Sequence, residues 1–200
     1  VWGVLVLSGL LLLPRGGHAG SYVITIQPDA TVTDDSYLRE GALGEKNGTK
    51  PDLRLKASDD LSNRHPIIKI PLTALAGKSV VQAWLKLTQS AGSSSTPIAA
   101  RIYPLSESWL EPEVSWGSRQ SGMPWTTPGG TRGALWASRT LVADATIGSL
   151  VSWQVGPILQ SWQLGAIPND GMIIEADRTA PKREMAFHAS EVGTAVERPQ

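Results

Sequence analysis

Short runs in which every second residue is apolar, each closed off by turn-forming residues, constrain this chain more than anything else in it. The runs "YVITI", "DLRLK", "PIIKIPL" and "VVQAWLKLTQ" follow one another from residue 22 to residue 89, and a two-residue period is that of a strand with one dry face. In the last run Val81, Ala83, Leu85 and Leu87 fall on one side and Gln82, Trp84, Lys86 and Thr88 on the other, as a half-buried strand requires. Turn material separates the runs: "EKNGTKP", "SDDLSNRHP", "LAGKS" and "SAGSSSTP", each rich in the residues that close hairpins. Regularly spaced short strands predict an antiparallel sandwich or barrel. One stretch reads as helix, "GPILQSWQLG", with Pro157 in the first turn, Ile158, Leu159 and Trp162 on one face, and Gly165 at the stop. Residues 117–147 sustain no period and read as a long loop with one short strand. No repeat of fixed length is visible, which argues against a solenoid or propeller.

The size and make-up of the chain fit one domain. Two hundred residues with 41% hydrophobic content can bury a real core. Lys plus Arg equals Asp plus Glu, at 18 each, so no net field draws the chain to nucleic acid or to an anionic membrane. The absence of cysteine removes disulfides, thiolate metal sites and cysteine nucleophiles together. Residues 1–19, "VWGVLVLSGLLLLPRGGHA", hold an apolar run that stops at Pro14, with Gly17 and Ala19 where a signal peptidase reads small residues. That segment is expected to be a signal peptide cut before Gly20 or an N-terminal anchor, leaving residues 20–200 as a single domain that is secreted or held at the cell surface.

A series of short motifs resembles a known family. It runs from "DDSYL" at Asp34 through Asn47-Gly48, "LRL" at Leu53, "RHPIIKIPL" at Arg64 and "IYPL" at Ile102. Next come Trp109, Glu111, Glu113, Val114 and Trp116, then "WQVGPILQSWQLGAIPNDGMII" from Trp153 and "MAFHASE" from Met185. This order resembles the DNRLRE, or disaggregatase-related, domain, which overlaps carbohydrate-binding module family 96. Ile70 and Pro71 stand where the family usually has Phe and Asp, and Gln154 and Gly156 stand where it has Asp and Thr, the latter weakening the helix cap. The resemblance implies a jelly-roll-like antiparallel β-sandwich with one short capping helix. It further implies a module appended to polysaccharide-degrading enzymes or surface proteins that binds rather than cuts. Arg198-Pro199-Gln200 reads as the start of a closing strand.

The residues themselves leave several chemistries open. "SESWLEPEVSW" sets Glu107, Glu111 and Glu113 around Trp109 and Trp116. A glycosidase would need two such carboxylates roughly 5 to 9 Å apart with one pKa raised. Nothing local would bury one of them, so the expectation is that the tryptophans plug the interior and the acids stay solvated. Calcium is a second use for oxygen donors in a chain without disulfides. The donors are Asp34, Asp35, Asp59, Asp60 and Asn63 in the first third and Asn169, Asp170 and Glu191 in the last, with no ligand set assignable. His18, His65 and His188 have no zinc spacing, and "TPGGTRG" lacks the Lys-Ser/Thr of a phosphate loop.

Sugar binding without catalysis asks for an exposed aromatic face beside polar groups. Trp125 and Trp136 in the polar loop region meet that, with Arg119, Arg132 and Arg139 as partners for an acidic polysaccharide. Trp84, flanked by Gln82 and Lys86, is the other choice, while Trp109, Trp116, Trp153 and Trp162 are assigned to the core. The expected function is a non-catalytic carbohydrate-binding or cell-surface module, attached to other domains or self-assembling. A structural filament subunit joined through sandwich edges is the alternative, and a lyase or hydrolase comes third.

Overall fold

The computed structural model describes residues 23–27, 29–92, 97–142, 146–178 and 182–200; the leader expected over residues 1–19 lies outside them. The strands are β1 (Asp34–Arg39), β2 (Asp52–Ala57), β3 (Arg64–Lys69), β4 (Trp84–Gly92), β5 (Ile98–Pro104), β6 (Ser118–Gln120), β7 (Met123–Pro124), β8 (Ala137–Leu141) and β9 (Leu150–Gln154). Helix α1 (Gly156–Gln163), β10 (Met172–Ala176) and β11 (Arg183–His188) follow, with short 3-10 turns at Thr73–Leu75 and Ala195–Glu197.

All strand pairings are antiparallel, in the order β8-β5-β10-β3-β2-β11-β4-β9, with β1 on the free edge of β3. The sheet folds over where β2 and β3 share a single pair, Lys56 with Arg64. Five strands lie on one side of that corner and four on the other, making a nearly closed antiparallel sandwich.

Alternation fills the interior. Ile98, Ala100 and Ile102 of β5 and Met172 and Ile174 of β10 meet Leu53 and Leu55 of β2, Leu85 and Leu87 of β4, and Met185 and Phe187 of β11. Trp153 and Phe187 pack edge-on there, ring centroids 6.1 Å apart, an arrangement that adds to the burial of two large apolar surfaces. Helix α1 closes one end with Ile158 and Trp162 buried, and Gly165 takes φ +67° just past it, the conformation a glycine stop supplies.

Two strand expectations shift. β4 begins at Trp84, and Val81 is exposed, because the inward alternation starts at Leu85. Residues 23–27 form no strand, although Ile26 still packs on the inner core.

A second core sits outside the sandwich. The segment 105–132 leaves β5 and returns to a backbone bridge between Leu105 and Arg132, so it is a closed excursion. It lies across the outer face of the five-stranded layer, where Trp109, Val114, Trp116 and Trp125 pack on Leu38, Ile67 and Ile173. Each buried indole whose ring enters this layer from the loop's two ends finds a carbonyl: Trp109 Nε1 donates to Asp170 O at 2.8 Å and Trp125 Nε1 to Ser115 O at 2.9 Å. Unpaired donors in such a place would destabilise the cover.

Candidate functional site

The cover reaches only part of the outer face. Beyond it, outward-facing residues of neighbouring strands line an opening: Arg101 and Tyr103 on β5, with the largely buried Glu175 on β10 and His65 on β3, Arg101 lying directly opposite Glu175 in the register. They floor a groove of about 350 Å³ whose wall is the stretch Thr127–Gly130 and whose rim carries Arg132 and Arg178. Two glycines let that wall come down onto the sheet. Gly129 and Gly130 have φ +88° and +105°, and a Cβ there would meet the Trp116 ring or Ile173 Cδ1 at 2.7 Å, a distance no side chain tolerates.

The groove is lined by paired charges as well as apolar side chains. Arg132 spans it, with its Nη2 3.2 Å from Glu175 Oε2 and its guanidinium carbon 4.6 Å from the centre of the Tyr103 ring, a cation–π placement that presets its fork. Arg101 holds Asp177 through two nitrogens, the longer contact being 3.0 Å, and Arg178 holds Glu40 at 2.7 Å. Burial pushes the Glu175 carboxyl up from its ordinary range, and Arg132 offsets part of that. His65 lies against Trp116, ring centroids 4.9 Å apart, and donates from Nδ1 to Gly129 O at 3.3 Å. Burial is the main reason its pKa falls to about 4, so the ring is neutral near pH 7.

The residues picked out by sequence land in different places. Arg132 is in the groove. Trp125 is a correction: it is 3% exposed within the outer core, because segment 105–132 folds onto the sheet and buries the ring instead of displaying it. Trp136 is half-buried against the inner core and is not among the residues lining the groove. Arg119 sits on the β6–β7 ribbon and donates to Ser108 O at 3.0 Å, away from the groove lining. Trp84 is 47% exposed on β4; it pairs with Gln154 of β9, two positions from the Lys86–Ser152 pair, and Arg139 donates to Ser152 O at 2.7 Å. Trp84 and Lys86 therefore lie side by side on the four-stranded layer, and Arg139 reaches from β8 across the sandwich edge to Ser152 beside them. Sequence reasoning missed Arg101, Tyr103, Glu175, Arg178 and His65. The polar alternation of "ARIYP" and the lone acid in "MIIEA" carried that signal.

The glutamates between the tryptophans do not all stay solvated. Glu107 caps the cover, accepting from Thr126 N at 3.1 Å and Oγ1 at 2.8 Å, and Glu113 accepts from Ser121 N at 2.6 Å. Glu111 turns inward, because Asp35 N donates to its Oε1 at 2.8 Å. There it joins Asp35 and Glu191, each placing an oxygen within 4.8 Å of the other two. Burial, then the neighbouring Glu191 charge, pushes the Asp35 carboxyl up to about 8; burial likewise pushes Glu111 up to about 7 and raises Glu191. Of the other oxygen donors, Asp34 lies 3.4 Å from Lys69, Asn63 accepts from Ser58 N at 2.7 Å, and Asn169 accepts from Gly171 N at 3.3 Å. These serve strand ends and turns.

No curated protein matches the chain. The profile of carbohydrate-binding module family 96 matches residues 27–160, which is more than half of the chain. That span holds both sides of the corner where β2 meets β3, the whole outer cover, and the Arg101, Tyr103 and Arg132 side of the groove. With an antiparallel sandwich carrying a concave, arginine-rich face, the chain belongs to carbohydrate-binding module family 96.

Proposed function

We propose that this chain is an exported, non-catalytic module that binds an acidic polysaccharide in the groove between the outer face of β5, β10 and β3 and the Thr127–Gly130 wall. The observation that carries the reading is the convergence of Arg101, Arg132 and Arg178 with Tyr103 in one concave site. Planar guanidinium forks recognise carboxylates with two parallel bonds, and a ring beside them offers a face to sugar C–H groups. Arg132 and Arg101 already hold Glu175 and Asp177; a uronate carboxylate would bond to the guanidinium N–H groups those internal acids leave free, keeping the buried Glu175 paired. Those same pairings argue against hydrolysis, since each acid in the groove is engaged by an arginine. Export is supported by the apolar run that stops at Pro14.

Titration calorimetry with a polyuronate, and with a neutral glucan as control, tests this. Arg132→Ala should weaken polyuronate binding at least about tenfold, or about 1.4 kcal/mol, while leaving the circular dichroism spectrum unchanged. Trp84→Ala should have little effect. Binding lost in Trp84→Ala but kept in Arg132→Ala would move the site to the four-stranded layer. Release of unsaturated or reducing sugar ends would end the non-catalytic reading. Ordered multimers with no affinity for any polysaccharide would favour a structural subunit.

A further inference from the structure

Three carboxylates with no cation between them are an unstable arrangement in a folded protein. Asp35 comes from β1, Glu111 from the outer cover, and Glu191 from the turn after β11. Asp35 is 1% exposed. Its Oδ2 accepts from Ser190 N at 2.9 Å, but its Oδ1 has no partner at all, and neither has Glu191 Oε2. A buried carboxylate oxygen left bare is costly. Among the described residues no Arg, Lys or His nitrogen comes within salt-bridge distance of any of the three. Such a group must take up protons or a metal ion.

We propose that Asp35, Glu111 and Glu191 bind a calcium ion that ties the outer cover to both layers of the sandwich. The donors are hard, anionic oxygens, which suit calcium and exclude a zinc site built on imidazole or thiolate. Their mutual separation of no more than 4.8 Å lets all three reach one ion through bonds of about 2.4 Å. The neighbourhood is preset: Gly48 packs so closely on Glu111 that a Cβ would lie 2.5 Å from its Cγ and carbonyl oxygen. Asn47, the residue before it, keeps its own buried Oδ1 unpartnered. The site is separate from the groove and does not depend on what the groove binds.

Equilibrium dialysis of the full chain against radioactive calcium, paired with thermal unfolding in calcium, magnesium or a chelator, tests the assignment. Calcium at about a hundredfold excess over Kd should raise Tm by roughly 5 to 10 °C over the chelated protein, with one ion bound per chain. Glu191→Gln and Asp35→Asn/Glu191→Gln should lose the bound ion and the calcium-dependent shift, yet melt no lower than the chelated wild type, since each removes a like-charge clash. An identical wild-type Tm in calcium and chelator, with no ion retained, overturns the site even if the variants fail to fold. Retention of the ion by Glu191→Gln and Glu111→Gln overturns the ligand set. An equal response to magnesium overturns the choice of ion.

Discussion

Acidification should destabilise this protein through one histidine at the groove floor. His65 has an ordinary pKa of 6.5 in the unfolded chain and one of about 4 in the native state. Burial is the leading cause; the positive charges of Arg178 and Arg132 add to it, and the Gly129 carbonyl and Glu40 oppose it. The native value is the lower, so the unfolded chain binds the proton first. Above pH 6.5 both states carry a neutral ring and His65 contributes nothing to the slope. As pH falls below 6.5 the unfolded state gains a proton that the native state refuses, and stability drops until the native ring also titrates near 4. The loss is about 2 kcal/mol by pH 5 and about 3 kcal/mol by pH 4. Asp35, Glu111 and Glu191 also titrate in this range with shifts of the opposite sign, so the informative quantity is a difference. Urea unfolding of wild type and His65→Gln, at matched pH values from 7 to 4 in the presence of a chelator, gives that difference directly. Stability of the variant relative to wild type should rise by about 2 kcal/mol between pH 7 and 5. Parallel curves would refute the reasoning, because they would mean that the imidazole takes up its proton in the native groove as readily as in the unfolded chain.

Two further outcomes follow from packing. Phe187→Ala removes a fully buried ring that meets Trp153 in the inner core and should lower unfolding free energy by about 3 to 5 kcal/mol in denaturant titration. Gly171→Ala places a methyl 2.6 Å from the Ile68 carbonyl at φ +91° and should destabilise by at least about 2 kcal/mol in the same assay, with the β10–β3 pairing disturbed.

Those elements were the most legible in the sequence because their signals are local. Of the turn-bounded runs, "DLRLK", "PIIKIPL" and "VVQAWLKLTQ" became β2, β3 and β4, the "GPILQSWQ" stretch became α1, and Trp109, Trp116, Trp153 and Trp162 are all buried. Trp125 went the other way because its fate depends on a loop folding back over Ile67 and Ile173, and nothing within the loop's own period announces that. The acidic cluster was hidden for a similar reason. Glu111 and Asp35 are 76 residues apart in the chain, and Asp35 and Ser190 are 155 apart; each acid read alone looks like turn decoration. The groove's floor was half visible, since polar residues on alternate positions of β5 and β10 mark an exposed strip, but the concavity is made by two glycines two dozen positions further on.

Because segment 105–132 packs in a hydrophobic centre separate from the one inside the sandwich and closes on itself at the Leu105–Arg132 bridge, changes at its groove-facing tip stay away from the inner core. Thr127 and Pro128, which line the cleft ahead of the two constrained glycines, can be exchanged to reshape it for another glycan without repacking Leu53, Leu87 or Phe187. Grafting experiments on this scaffold should begin there.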